Sequence, residues 1–288
     1  MERVVLKIGH TFEMIRFSHS IFALPFALGA MCVAANGFPS PKIVTLIIAA
    51  MITARSAAMA FNRLIDLPFD AINPRTKSRH LPQGILSKKF VAIFTGSCAA
   101  LFFFICSQIN SLAFFLSPFA LAILLGYSFS KRFTHLTHLW LGVSLGMAPL
   151  AAWISVTGDW PWGALPLGMA VAFWVAGFDI IYATQDFDFD RKMGIGSLVT
   201  HLGIKKALLV SRFFHLLSLL FLFQFGIING LHLIYYIMVG LIGCGLLYEQ
   251  SLIKPNDLSK INAAFFTTNG IISLLFFAGI LLEIFLKI

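Results

Sequence analysis

Half of the chain's 12 acidic residues stand in two short stretches. The first is Asn62-Arg63-Leu64-Ile65-Asp66-Leu67-Pro68-Phe69-Asp70, and the second runs from Asp179 through Tyr182, Gln185, Asp186 and Asp188 to Asp190. On a helix the four-residue spacing of Asn62, Asp66 and Asp70 drifts by only about 40° per step, so the three share a face. Pro68 is expected to interrupt a regular helix there and to leave Asp70 just past its end. Asp179, Tyr182, Asp186 and Asp190 fall at roughly 0°, −60°, −20° and +20°, again one face, whereas Asp188 points about 180° away and reads as a spectator. Carboxylates stacked in this way repel one another and are expensive to desolvate near a membrane, so the arrangement makes sense when cations neutralise it. Hard oxygen ligands with an amide nearby suit Mg²⁺, which keeps waters and bridges carboxylates to phosphates. Two such clusters suggest two sides of a metal–diphosphate cradle. Arg55, Arg75, Lys77, Arg79, Lys131, Arg132, Arg191 and Lys192 are the nearby cations suited to phosphate oxygens. Charges beside membrane spans are usually solvated loop charges, but Arg55 lies inside an apolar run seven residues before Asn62, and an intramembrane Arg is functional by default.

The elements that must hold these residues are apolar. Of 288 residues, 59% are hydrophobic and 11% charged, against about 45–50% and roughly 25% in soluble domains. That excludes an ordinary soluble enzyme, a disordered chain and a disulfide scaffold. A span needs about 20 apolar residues, and the apolar runs are continuous rather than alternating, which favours a helix bundle over a barrel. Nine segments are predicted, at about 17–37, 42–62, 89–108, 111–130, 136–157, 162–183, 205–227, 231–249 and 262–286. The expected fold is an all-α polytopic membrane protein with nine helices around a central cavity. It forms one integral-membrane domain over 1–288, with cap loops at about 64–87 and 185–203.

Met1 to Arg16 shows no cleavable signal, so the first run is expected to stay as an anchor. Eighteen of the 21 basic residues, Arg3, Lys7, Arg16 and the Arg75 and Arg191 regions among them, fall on one set of alternate loops, and only Lys42 and Lys287 on the other. The N-terminus and charged loops are therefore expected to be cytoplasmic. Cys32, Cys98, Cys106 and Cys244 lie in apolar runs without metal-ligand spacing and read as small buried hydrophobes. His135 and His138 form His-x-x-His without a further ligand, and His10, His19, His201, His215 and His232 read as structural or interfacial. Trp153, Trp160 and Trp162 fit an outer aromatic belt.

Arg55-Ser-Ala-Ala-Met-Ala-Phe-Asn62, followed by Asp66, Asp70, Asn73-Pro-Arg75-Thr76 and Arg79-His-Leu81-Pro82-Gln-Gly84, resembles the first signature of the UbiA-type intramembrane aromatic prenyltransferases. Tyr127-Ser-Phe-Ser-Lys131-Arg132 is similar to their central Tyr-x-x-x-Lys-Arg segment. Asp179-x-x-Tyr182-Ala183-x-x-Asp186-x-x-x-Asp190, with Gly194, Gly196 and Ser197, is similar to the second. The Asn62-Arg63 pair, where many relatives have Asn-Asp, looks like a subgroup often labelled 4-hydroxybenzoate polyprenyltransferase.

The resemblance implies Mg²⁺-dependent transfer of a polyprenyl group from its diphosphate to an aromatic acceptor, with Asn62, Asp66, Asp70, Asp186 and Asp190 as metal ligands. Asp179 and Tyr182 would stabilise an allylic cation or orient the acceptor, and Arg55 would pair with an acceptor carboxylate or with phosphate. Lys131 and Arg132 would close over the diphosphate. The acceptor stays open between 4-hydroxybenzoate or a similar aromatic acid of ubiquinone-type biosynthesis and a precursor of a futalosine-route menaquinone. The competing class is a transporter, which would place charges at span midplanes and show inverted repeats. A nucleic-acid binder would need a soluble basic surface, for which no segment is available.

Overall fold

The computed structural model describes residues 9–15 and 22–286. Arg3, Lys7, Arg16, His19, Lys287 and the start of the first predicted span lie outside the described residues. Among the described residues, twelve α-helices follow one another: α1 (9–14), α2 (Leu24–Ala34), α3 (Pro41–Asp70), α4 (Lys88–Ile109), α5 (Ser111–Ser130), α6 (Thr137–Thr157), α7 (Leu165–Ala183), α8 (Phe187–Met193), α9 (Leu198–Leu202), α10 (Ile204–Ile228), α11 (Leu233–Leu252) and α12 (Asn269–Leu286). A π-helical turn, Ala263–Thr268, leads into α12. The described residues form no strand beyond one isolated bridge, Lys254 to Asp257. Among the described residues, eight helices are long and apolar enough to cross a membrane, and α2 is a shorter apolar helix. The protein is an all-α polytopic membrane protein.

Two of the eight spans are longer than the others. They cover Pro41–Asp70 (30 residues) and Trp162–Met193 (32 residues), whereas the other six have 20 to 25. At about 1.5 Å per residue, 30 residues reach roughly 45 Å, well past a hydrocarbon core of about 30 Å. The surplus turns are the ones that carry the acidic clusters. Pro68, expected to interrupt the helix and leave Asp70 past its end, does not do so; α3 continues to Asp70 with Pro68 inside it. A proline in the last turn forfeits one hydrogen bond and its clash falls on a single preceding turn, which a long helix tolerates.

The chain divides into two compact units: Met1–Ser20 with Thr45–Phe129, and Ile21–Val44 with Ser130–Ile288. In the first, Ala54 and Ala57 of α3 pack with Phe102 and Cys106 of α4 and Leu121 of α5. Met14, Ile15, Ala60, Leu81, Leu86 and Val91 form a second core there, under the segment between α3 and α4.

In the second unit α7 is the central element, with 13 of its 19 residues buried. Its packing depends on missing side chains. A Cβ on Gly142 of α6 would run into the Ala172 carbonyl of α7, and one on Gly146 would lie 2.5 Å from the Gly168 carbonyl. On the α10 side, a Cβ on Gly177 would strike the His215 ring. Small residues let membrane helices approach closely, where packing and not water exclusion holds them together. Gly142→Val should therefore cost about 1–3 kcal/mol by overpacking. Expected is a drop of several degrees in apparent melting temperature in detergent, while Gly96→Ala, which meets nothing within 4 Å, stays within about one degree. Equal melting temperatures for the two variants would refute the seam.

Candidate active site

The first acidic cluster is organised by its own helix and by the loop that follows. Asn62 Nδ2 donates to Asp66 Oδ2 at 3.0 Å, one turn on, and more weakly to Ser128 Oγ of α5 at 3.5 Å. Asp66 and Asp70 are both 7% exposed, so these carboxylates sit low on the helix and not on a solvated fringe. Arg79 Nη1 reaches both oxygens of Asp70, at 2.8 and 2.7 Å. Sequence reading assigned Arg79 to phosphate and Asp70 to metal; the structure makes them partners of each other.

The intervening chain is built for this return. Asn73, ahead of Pro74, accepts the Arg75 N–H on its side chain at 2.9 Å, an Asx turn. Thr76 Oγ1 donates to the Asp70 carbonyl at 3.2 Å, satisfying one of the helix-end acceptors. Arg75 and Lys77 are exposed. Arg55 is half-buried inside α3. Arg63 is 8% exposed and its Nε donates to the Met14 carbonyl of the first unit at 3.4 Å, which ties α3 to the N-terminal segment.

The second cluster does not ride on one continuous helix. α7 ends at Ala183, a 3-10 turn occupies Thr184–Asp186, and α8 begins at Phe187. The 100° arithmetic therefore holds from Asp179 to Tyr182 and is interrupted before Asp186. Asp186 and Asp190 are half-buried and Asp188 is exposed. α8 closes on Gly194 at φ +68°, a left-handed residue that suits glycine. The chain then turns onto the segment after α5: Gly196 N–H donates to the Lys131 carbonyl at 2.9 Å, and a Cβ on Gly196 would lie 2.9 Å from the Thr134 carbonyl. Ser197 caps α9 in a capping box with Thr200. The residues between Asp190 and Ser197 thus lie against Lys131, which is half-buried; Arg132, Arg191 and Lys192 are exposed. Arg191 lies 5.9 Å from the centre of the Phe187 ring.

Tyr182 is half-buried and packs against Phe265, ring centres 4.2 Å apart with the planes tilted, and Phe266 lies edge-on at 6.3 Å. Asp179 is held by His138: Nδ1 stands 2.6 Å from Asp179 Oδ2. His135 turns the other way and stacks on His201 at 4.6 Å. The His-x-x-His pair is thereby split between two partners.

Residues 23–277 match the UbiA prenyltransferase family. The chain belongs to that family. It is 30% identical over 268 residues to the 4-hydroxybenzoate octaprenyltransferase of Sodalis glossinidius, covering 92% of this chain and 91% of that one. A solved UbiA homologue from Aeropyrum pernix superposes with a TM-score of 0.83 at 32% identity, covering 92% of this chain and 98% of the other. A UbiA homologue from Archaeoglobus fulgidus bound to DMAPP and Mg²⁺ shares the fold, with TM-score 0.77, 20% identity, and 95% and 98% coverage. The protein is a UbiA-family prenyltransferase.

Two parts of this UbiA site escape sequence reading. The aromatic shell of Tyr182 comes from Phe265 and Phe266, which sit in the π turn 83 and 84 residues later; among 31 phenylalanines nothing local singles them out. His138 was visible only as half of a weak metal pattern. Among the described residues, the one group of three His, Cys, Asp or Glu side chains with ligand atoms close enough to share an ion is His10, Glu13 and His80, in which His80 Nε2 lies 3.0 Å from Glu13 Oε2.

The Arg79–Asp70 pair predicts a measurable effect independent of catalysis. Removing one partner of a mostly buried ion pair leaves the other uncompensated, at about 1–3 kcal/mol. Arg79→Ala should raise the rate of limited proteolysis between residues 71 and 87 several-fold, while Lys77→Ala should not. Unchanged cleavage in Arg79→Ala would show that the pair does not hold the loop.

Proposed function

We propose that this enzyme transfers a polyprenyl group from polyprenyl diphosphate to 4-hydroxybenzoate or a similar aromatic acid, with Mg²⁺, in ubiquinone-type quinone biosynthesis. The observation that carries the reading is the oxygen-rich donor set Asn62, Asp66 and Asp70 on the surplus turns of α3, two of its carboxylates almost fully buried. Such a set, without sulfur or imidazole, fits a hard divalent cation. The names of relatives and the DMAPP- and Mg²⁺-bound homologue support the same reading.

Roles follow from chemistry, residue by residue. Asn62, Asp66 and Asp70, and Asp186 and Asp190, hold Mg²⁺. When bound, the ion neutralises charge on the leaving diphosphate. Arg75, Lys77, Arg79, Lys131, Arg132, Arg191 and Lys192 bind diphosphate oxygens, Arg79 in exchange for part of its bond to Asp70. As the allylic C–O bond breaks, its electron pair leaves with the diphosphate. A ring carbon of the acceptor attacks the allylic carbon and afterwards loses its proton. Tyr182, backed by Phe265, presents a π face to the cationic carbon. Asp179 orients the acceptor and Arg55 pairs with its carboxylate. The segments 64–87 and 185–203 exclude water that would quench the cation.

The enzyme works as one nine-span domain with a cytoplasmic N-terminus, its active site facing the cytoplasm of a bacterial inner membrane. The Asn62-Arg63 pair supports a second reading with the same chemistry, on a precursor of futalosine-route menaquinone.

The test uses purified protein in vesicles with labelled polyprenyl diphosphate. Asp66→Ala and Asp186→Ala should each lose transfer by at least 100-fold (about 2.7 kcal/mol) while remaining folded, and EDTA should abolish wild-type transfer until Mg²⁺ is restored. Full activity in both variants would remove the metal assignment. Asp188→Ala should stay within threefold of wild type. Substrate flux without covalent product would instead identify a transporter, and product masses from competing acceptors decide between the two quinone routes.

A further inference from the structure

The glycine seam and the acidic site share one register. Along α6, His138, Gly142 and Gly146 recur every four residues and so lie on one face. Along α7, Gly168, Ala172 and Asp179 lie at offsets 0, 4 and 11, again one face. The contacts pair them in antiparallel order: Gly146 with Gly168, Gly142 with Ala172, and His138 with Asp179. The backbones are pressed together along the seam, and its last rung is a polar pair.

His138 is 2% exposed. A carboxylate accepts, so the 2.6 Å contact places an imidazole proton on Nδ1. Among the described residues Nε2 is buried without a hydrogen-bond partner. A polar ring accepting that loss has one compensated function, its bond to Asp179. Asp179 is not sealed in by it: its side chain keeps 17% exposure. With Oδ2 engaged, Oδ1 is the oxygen left for a ligand.

We infer that His138 is a positioning residue for acceptor recognition, fixing the Asp179 carboxylate so that Oδ1 accepts a hydrogen bond from the hydroxyl of a hydroxylated aromatic acceptor. This rests on the prenyltransferase reading above. The physical logic is that of an outer-shell partner which locks a ligating side chain into one orientation. A hydroxyl held by a carboxylate donates more electron density to the ring carbons beside it, where the new bond forms. His138 itself touches no substrate.

Two variants separate positioning from packing. His138→Gln retains an N–H donor for Asp179; His138→Leu fills similar space without one. With 4-hydroxybenzoate as probe, kcat of His138→Leu should fall at least tenfold and that of His138→Gln should stay within threefold. KM for the prenyl diphosphate should stay within twofold of wild type in both. A loss under tenfold in the Leu variant, or an equal loss in the two variants, overturns the inference. Should the Leu variant not purify folded, the Gln variant decides alone, because a folded Gln variant that loses tenfold or more contradicts a role as donor. Wild-type protein that forms no product with any hydroxylated aromatic acid would instead sink the prenyl-transfer reading itself.

Discussion

A carboxylate at the edge of hydrocarbon must be compensated, and several acids of this protein each meet a donor. Asp66 accepts from Asn62, Asp70 from Arg79, Asp179 from His138, and Glu283 from the backbone N–H of His232 at 2.6 Å. Glu249, wholly buried in the second unit, accepts from Asn269 at 3.1 Å, which in turn accepts from the Trp174 indole at 2.7 Å. An unpaired ion in such surroundings costs several kcal/mol, more than most single packing contacts return. The helices are therefore placed as much by where their acids find donors as by apolar packing, which lipid satisfies nearly as well as another helix does.

The second consequence concerns length. Most spans have 20 to 25 residues and match the hydrocarbon thickness. The two that overrun it carry the acids: Asp66 and Asp70 lie on the continuous end of α3, and Asp186 and Asp190 on the 3-10 turn and short helix that follow α7. The loops then serve the helices: Thr76 and Arg79 fold back on Asp70, and Gly196 folds the post-α8 chain onto Lys131. Gly194 and Gly196 are needed for turning and close approach and not for flexibility in general.

Within the second unit the two kinds of constraint meet on α7. Its glycine and alanine face lies against α6, and Gly177 admits the His215 ring from α10. Gln250 of α11 donates to Ser211 Oγ at 2.8 Å, and Ser211 donates to the Gly177 carbonyl at 2.8 Å. α7 is thus held on several sides by contacts with little freedom, and Asp179 and Tyr182 inherit that rigidity.

Much of this was legible in one dimension. Apolar runs of about 20 residues have one stable form in a bilayer, so the all-α spanning fold followed from composition. The four-residue spacing of Asn62, Asp66 and Asp70 already implied a shared helical face, because helical geometry is local. The extent of α3 was missed at Pro68, where local chain stiffness suggested an end that the bilayer environment does not require. The break at Thr184–Asp186 was missed because spacing arithmetic assumes a continuous helix. Sequence by itself determined the elements, their amphipathic faces and the residue types available for metal and phosphate, since these depend on neighbours a few positions apart. Only the tertiary structure decided the partners: Arg79 for Asp70, Phe265 for Tyr182, and His138 for Asp179. Those pairings join residues nine to more than eighty positions apart, and they are set by how closely helices approach, which the identity of the paired residues alone does not encode.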